Sequence, residues 1–198
     1  MAWVSGQPLP EGHPFAAVQA NPQGETSPEI WMLGSSLYGA QVAAHFGLPY
    51  SFAWFFTEGQ GGPEAIQIYR DRYQPSERFP EPCPGICVWA LAAETEEEAH
   101  YHFASRARWQ LYRDRGRYTA LESAETAVGA AYSESETARM EQLRQTAMVG
   151  TPDIVAERIR ALATRLDIEE IAVVTWAHDE GVRRRSYELL AKEFGMAG

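Results

Sequence analysis

Residues 30–54 constrain the fold of this chain more than any other stretch. The stretch opens with an apolar segment that ends in Gly34-Ser35-Ser36, continues with an alanine-rich amphipathic pattern, and closes with a second apolar segment. These periodicities predict a buried strand, a helix and another buried strand. Gly47 follows the last apolar helical position, where a left-handed helix cap is expected. A strand–helix–strand unit favours a parallel sheet and therefore an α/β fold.

The turn between this first strand and its helix is suited to an anion. The hydroxyl side chains of Ser35 and Ser36 lie at the predicted helix N-terminus, where backbone N–H groups without helical partners attract phosphate. Serine is also a common N-cap that needs no ligand. The pattern alone therefore leaves a phosphate site and a plain helix cap as alternatives.

Strand and helix patterns alternate along the rest of the chain. Four strands are predicted, at residues 29–33, 50–56, 85–93 and 168–175. Helices are predicted at residues 36–46, 63–73, 95–112, 134–148 and 180–194, and a further helix begins at Pro152. In parallel sheets the functional groups lie at the carboxyl ends of the strands.

The chain divides into a short lead-in and one domain. Residues 1–28 carry scattered prolines and glycines and are predicted to be irregular. Residues 29–198 are predicted to form a single α/β domain, because a chain of 198 residues with 45% hydrophobic content can bury one core. Residues 113–132 lack clear periodicity and are interpreted as a long insertion.

Charge and hydropathy exclude several classes of partner. The net charge of −10 argues against a nucleic-acid backbone as partner. No apolar run reaches the roughly 18 to 20 residues that a membrane span requires, and the N-terminus lacks the basic-then-apolar pattern of a secretory signal. The expectation is a cytoplasmic protein that does not bind membranes.

The two cysteines do not form a metal site by pattern. Cys83 and Cys87 have no neighbouring histidine or further cysteine with which to build a zinc site. Cys87 lies in an apolar run and is interpreted as a core thiol. No metal site is expected.

Several motifs together resemble one family. The segment Trp-Met-Leu-Gly-Ser-Ser at 31–36, the alanine-rich helix, and Phe-Gly-Leu-Pro at 46–49 are similar to the luciferase-like flavin-dependent monooxygenases. Further segments match in the order of that family, at residues 9–15, 69–76, 149–152 and 185–191.

This resemblance implies a barrel fold of which only part is present. The family fold is a (β/α)8 TIM barrel, which usually takes about 250 residues, and the chain resembles the C-terminal half, with about four parallel strands alternating with helices. Half a barrel leaves open edges and an exposed inner face. Self-association, a complementary half-barrel chain or truncation of a longer protein would each account for this.

The resemblance also assigns candidate cofactor residues. In relatives the turn after this strand lies against the phosphate of FMN, so Gly34, Ser35, Ser36 and Tyr38 inherit that role. Gly39 stands where some members have a hydroxyl residue. Trp54 is expected at the end of the second strand, where it is either a core residue or a neighbour of the flavin ring.

Further aromatic and titratable residues have both a structural and a functional interpretation. Trp176 is interpreted as a rim aromatic or a wall of a ligand site, and His178-Asp179 as a helix cap or an acid/base pair. The histidines His45, His100 and His102 are interpreted as helix-face residues. The catalytic residues are unknown, because those of relatives belong to the missing half.

The function implied by the resemblance is a flavin-dependent monooxygenase, or one half of its barrel. The cofactor would be FMN, or reduced FMN supplied by a reductase, and the substrate a small organic molecule. The predicted assembly is a homodimer or a pair with a complementary chain. The alternative is a non-catalytic flavin-binding or assembly module that retains a remnant phosphate site.

Overall fold

The fold comes from a computed structural model that describes residues 2–19, 21, 24 and 26–196. The predicted lead-in and the end of the predicted domain therefore lie partly outside the described residues, and the division between them stays a prediction. The strands are β1 (Met32–Gly34), β2 (Tyr50–Phe52), β3 (Pro84–Ala92), β4 (Met148–Gly150) and β5 (Glu170–Val174). The helices are α1 (Ala2–Ser5), α2 (Leu37–His45), α3 (Trp54–Thr57), α4 (Gly62–Arg72), α5 (Glu96–Asp114), α6 (Ala124–Val128), α7 (Glu134–Thr146), α8 (Pro152–Leu166) and α9 (Glu180–Glu193).

The described strands form one parallel sheet with β3 at its centre. β1 pairs with β2, and β2 pairs with the beginning of β3, where Tyr50 lies opposite Pro84. β5 pairs with Gly85–Trp89 of β3, and β4 pairs with Ala90–Ala92. The parallel α/β architecture predicted from the sequence is thus confirmed, and it places the carboxyl ends of the strands along one edge.

Alternate residues of β3 face two separate cores, as the twofold period of a strand requires. Ile86, Val88, Ala90 and Ala92 are buried in a core shared with α2, α4, α8 and α9. The other face presents Trp89, Leu91 and Ala93 to a second core, in which α5 and α7 contribute Phe103, Ala107 and Leu143. The second core covers only the carboxyl half of that face.

Helix start signals in the sequence correspond to the observed helices. The hydroxyl of Thr95 accepts a hydrogen bond from the Glu98 N–H (3.1 Å), which caps α5 as predicted. Ser133 and Glu136 form a capping box at the start of α7. Pro152 is the first residue of α8. The signals at Thr95 and Pro152 are local, and they predicted the starts of α5 and α8 to within one residue.

Two parts of the sheet differ from the sequence prediction. The predicted strand 50–56 ends at Phe52. The Ala53 N–H still donates to the Gly34 carbonyl (2.7 Å), and the chain then turns into α3, where the Phe56 N–H donates to the Ala53 carbonyl (3.0 Å). The predicted helix 134–148 ends at Thr146, and residues 148–150 form β4, a strand that the pattern does not reveal. A three-residue strand is too short to show a period of two.

The segment 113–132, predicted to be an insertion, contains a short helix that packs on α5. Ala127 of α6 is fully buried. The hydroxyl of Ser105 donates to the carbonyl of Glu122, and the Tyr132 hydroxyl donates to the carbonyl of Ala127. α5, α6 and α7 together form a helical layer over the second core.

Three of the described strands have a pairing partner on one side only. β1 pairs with β2, whereas β4 and β5 each pair with β3. Near the amino ends of the strands the face that carries Trp89 is also uncovered: Leu33 is 57% exposed, Trp31 is 37% exposed, and Ala172 is exposed.

Candidate functional site

The turn after β1 is shaped by two glycines in close contact. A Cβ atom at Gly34 would lie 3.3 Å from the Cα of Gly39, and one at Gly39 would lie 3.2 Å from the Cα of Gly34. The ring of Tyr50 covers both positions. A hydroxyl residue at 39, as some relatives have, would have to push α2 away from β1. The glycine therefore serves packing here, and the turn remains tight.

The two serines of this turn have free hydroxyl groups. Ser35 and Ser36 are exposed, and neither side chain forms a hydrogen bond among the described residues. Ser36 is the N-cap of α2 with extended backbone (φ −145°, ψ 166°), yet its side chain makes no capping bond. Ser36 therefore holds the N-cap position without capping the helix through its hydroxyl. Both serine hydroxyls remain available to a ligand, together with the first backbone N–H groups of α2.

Tyr38 points away from the sheet edge. Its side chain is 75% exposed, and it lines a shallow groove on the outer side of α2 together with Val42, Phe46 and Arg72. Tyr38 is thus next to the serine turn along the chain, but the structure places its side chain on the solvent side of the helix.

The position predicted for Trp54 was wrong in its secondary structure. Trp54 does not end β2 but begins α3. Its ring packs on the following turn, since a Cβ atom at Gly59 or Gly62 would lie 2.3 Å or 2.7 Å from ring carbons. It also packs against the first core. Because Ala53 bonds to Gly34, the structure nevertheless brings Trp54 and the serine turn to the same sheet edge.

A cavity of about 100 Å³ lies between the carboxyl half of β3 and the helices above it. Helices α3, α5 and α7 close it from one side, and Trp54 belongs to its wall. Its lining is mainly apolar, with Val88, Phe103, Leu143 and Met148, and its polar members include Glu58, Trp89, Arg106 and Gln110. Small-molecule sites commonly have such walls, with few polar groups in fixed positions.

The cation in the wall of this cavity is the guanidinium of Arg106. It lies 5.6, 4.6 and 5.1 Å from the ring centroids of Trp89, Trp109 and Trp176. It donates to the side-chain oxygen of Gln110 (3.1 Å) and to the carbonyl of Phe55 (3.2 Å). Three indole faces stabilise a cation electrostatically, so this side chain is held in one position.

Burial strongly affects this arginine. Arg106 is 8% exposed. Burial, and next the nearby charge of Arg113, lower the pKa of the guanidinium to about 10. Its Nε atom is buried without a hydrogen-bond partner among the described residues, as is the indole Nε1 of Trp89. Unpaired buried donors are rare in folded proteins and point to an unseen acceptor.

Two further candidates, Asp179 and Trp176, have structural roles. Asp179 caps α9 by accepting the Val182 N–H (3.0 Å), and this bond lowers the pKa of its carboxyl group. The cap interpretation of the pair therefore fits Asp179. Trp176 is half-buried and contacts Phe55, Trp109 and Arg106, so its ring belongs to the aromatic cluster rather than to a free rim.

The core interpretation of Cys87 is confirmed, and one histidine on the face of α5, His100, is partly buried. Cys87 is buried, and burial raises the pKa of its thiol. His100 has a buried Nδ1 atom without a partner in the described structure, and burial lowers the pKa of its imidazole. In the described part of the chain, no three His, Cys, Asp or Glu residues are grouped so as to hold a metal ion.

Sequence reasoning missed Arg106 and its aromatic neighbours. A signal was present, because Arg106 lies at helical spacing from Ala99, Phe103 and Leu111, all buried on α5. A charged residue within the apolar stripe of an amphipathic helix indicates either a long side chain that reaches water or a buried functional group. Only tertiary structure decides between them, because the three indoles come from β3, α5 and the segment after β5.

Comparison with known proteins now decides the family. The family model described as luciferase-like monooxygenase matches residues 4–167. The chain belongs to the luciferase-like monooxygenase family. An Escherichia coli K12 protein named luciferase-like monooxygenase is 31% identical over 84% of this chain and 49% of its own length. The Bacillus subtilis protein YceB is 32% identical over 94% of this chain and 56% of its own length. The chain thus spans about half the length of these relatives.

Solved structures agree with this assignment. The apo form of MsnO8 superposes with a TM-score of 0.76 and 31% identity, over 94% of this chain and 56% of its own. The oxygenating constituent of 3,6-diketocamphane monooxygenase from Pseudomonas putida, solved in complex with FMN, superposes with a TM-score of 0.51 at 20% identity, over 87% of this chain and 49% of its own, and supports the fold alone. Within the described residues, no helix combines the length and apolarity of a membrane span.

Proposed function

We propose that this chain is the C-terminal half of a flavin-dependent monooxygenase barrel and that its serine turn binds the phosphate of FMN. The observation that carries the proposal is the pair of unbonded hydroxyls, Ser35 and Ser36, next to the free N–H groups of a helix at the carboxyl edge of the sheet. Membership of the luciferase-like family supports the flavin. The cytoplasmic location, the small organic substrate and the homodimer remain predictions.

The residues at this edge fit the phosphate group. Hydroxyl groups and helix N-terminal N–H groups are donors, and the positive end of the helix dipole favours an anion. The contact of Gly34 with Gly39 keeps the turn tight. A bound reduced flavin supplies the oxygen-activating chemistry, while the protein contributes binding, orientation and exclusion of water.

The distinction between FMN and riboflavin tests the phosphate assignment. Replacing both Ser35 and Ser36 by alanine removes two donors, and a hydrogen bond to a charged group is worth about 1.5 to 3 kcal/mol. FMN affinity, measured by quenching of flavin fluorescence, should fall at least tenfold. Riboflavin, which has no phosphate, should lose much less.

A matched control separates ligand binding from helix capping. Ser123 caps α6 through its side chain, so Ser123→Ala removes a serine hydroxyl from another helix start. It should leave the affinity for both flavins unchanged. Equal losses of FMN and riboflavin in the double variant would exclude the phosphate assignment, and flavin binding without substrate oxidation would favour the non-catalytic alternative.

A further inference from the structure

The cavity beneath α5 contains a buried cation without an anionic partner. Arg106 takes part in none of the ion pairs formed by the described residues. Its three indole neighbours stabilise charge through their π faces but supply no oxygen acceptor. Buried charges are normally paired with an opposite charge or fully hydrogen-bonded.

Nearby acids are turned away from this cation. Glu58 lines the same cavity, but its carboxylate accepts from the guanidinium of Arg139 on α7. Asp114, near the end of α5, also accepts from Arg139 (2.9 Å). Arg139 therefore holds both acids. Their charges attract Arg106 from a distance, but neither forms an ion pair with it among the described residues.

Two side chains at the cavity, Arg106 and Trp89, have buried N–H groups without acceptors among the described residues. Arg106 has five N–H groups and gives one each to Gln110 and Phe55, which leaves three, Nε–H among them. The Nε1–H of Trp89 is likewise buried and unbonded among the described residues. Both side chains line the cavity, and the wall around them is apolar.

We propose that this cavity binds the carboxylate of a small organic acid, or the carboxylate end of a longer substrate, with Arg106 as cationic partner and Trp89 as second donor. The identity of the occupant as a substrate rests on the proposed function. A cavity of about 100 Å³ equals roughly three waters of about 30 Å³ each. That volume suits a carboxylate group that carries one or two further carbon atoms, as in acetate or propionate.

Carboxylate fits this wall better than phosphate. A carboxylate is planar and matches the fork of a guanidinium with both oxygens on one side, so its carbon chain can contact Phe103 and Leu143. A phosphate presents oxygen atoms in every direction and would leave acceptors against that apolar surface. Burying an unpaired acceptor is costly.

Tryptophan fluorescence of the full chain provides the direct test, since Arg106 is surrounded by indoles. We expect sodium propionate to give a saturable change in emission. Propionamide, its neutral isostere, and sodium chloride at equal ionic strength should give none. Absence of a saturable response to propionate in the wild-type chain would overturn the proposal.

The variant Arg106→Met removes the charge and keeps an unbranched side chain among the indoles. Propionate binding should weaken at least tenfold, while the unfolding midpoint should stay unchanged or rise, because replacing a buried charge by an apolar group of similar volume is often neutral or stabilising. Undiminished binding in Arg106→Met would overturn the proposal. If that variant does not fold, Trp89→Phe tests the second donor and should also weaken binding.

Arg160→Met is the matched control. The Arg160 guanidinium also lies over an aromatic ring, that of Phe194 at 4.9 Å, but it is exposed and outside the cavity. Its replacement should leave propionate binding unchanged.

Flavin titrations show whether the anion that Arg106 binds is a substrate carboxylate or the phosphate of FMN. If FMN, but not riboflavin, competes with propionate and loses affinity in Arg106→Met, the anion is the cofactor phosphate and the substrate assignment is overturned. Propionate binding that persists in the Ser35/Ser36 double alanine variant would support a site independent of the flavin turn, even if the flavin proposal itself fails.

Discussion

Two side chains of α9 form hydrogen bonds with the carboxyl ends of β3 and β5. The hydroxyl of Ser186, which is fully buried, accepts the Ala92 N–H (2.9 Å) just where β3 ends. The next residue, Tyr187, accepts the Thr175 N–H (2.8 Å) after β5. Ala92 is the last paired residue of β3 and Thr175 follows the last paired residue of β5, and the N–H group of each finds its acceptor on α9. The segment 185–191, which resembled the family by sequence, thus has a structural role.

Ser186→Ala should lower the free energy of unfolding by about 1 to 3 kcal/mol, because the Ala92 N–H would be buried without an acceptor. Urea denaturation measures the change. Ser135→Ala is the control, since Ser135 is exposed and its hydroxyl contacts only that of Ser133. A similar small effect of both substitutions would contradict the role assigned to Ser186.

Among the secondary-structure elements, α7 shows how a local cap and a tertiary ion pair act together. Glu136 accepts from the Ser133 N–H (2.8 Å) and from the guanidinium of Arg115 (2.5 Å), which follows α5. The Ser133 backbone bond, and next the Arg115 bond, lower the pKa of Glu136 to about 2. The Glu136 carboxylate therefore caps the start of α7 and also forms an ion pair with Arg115 at the end of α5.

This arrangement predicts an acid-sensitive contribution to stability. The pKa of Glu136 is about 2 in the folded protein against an ordinary value of 4.5, so the unfolded chain binds the proton more readily. The stabilisation is fully present above pH 4.5 and is lost as the pH falls towards 2. Glu136→Gln keeps an acceptor but does not titrate, so its thermal midpoint should fall less steeply across this range.

The control for this titration is Glu134→Gln, which removes an acid from the same first helical turn but outside the capping box. Its thermal midpoint should follow the wild-type pH profile. Identical pH profiles for Glu136→Gln and the wild-type protein would contradict the assignment.

At the scale of the whole molecule, the sheet is asymmetrically covered. Helices pack on one face throughout, whereas α5 and α7 cover only the carboxyl half of the other. The open edges of β1 and β5 and the exposed Leu33, Trp31 and Ala172 mark the uncovered part. Open parallel edges invite pairing with another chain, and barrel closure removes them. We propose that a complementary half-barrel covers this region, supplied by a second copy, another chain or further residues of a longer protein.

Self-association is the simplest of these arrangements, and most symmetric pairs are twofold dimers. Light scattering at micromolar concentration should therefore show a homodimer. Leu33→Asp places a charge on the uncovered face and should yield monomers.

Phe46→Asp is the matched control for this experiment. Phe46 is also 57% exposed, like Leu33, but lies at the end of α2, away from the open edges. It should leave the dimer intact. A compact wild-type monomer would exclude self-association. It would imply that another segment of this chain covers the exposed face of the sheet.

The sequence alone determined the α/β order of elements, the serine turn and the helix starts at Thr95 and Pro152, because each depends on residues close together along the chain. Tertiary structure decided what depends on distant contacts. β2 pairs with β1 only as far as Gly34, so Trp54 lies in the helix that follows and not in the strand. Residues 148–150 form a strand because β3 extends beyond β2 and offers them an edge. The site around Arg106 is the clearest case. Its three indoles come from β3, α5 and the segment after β5, and these segments meet only in the folded protein.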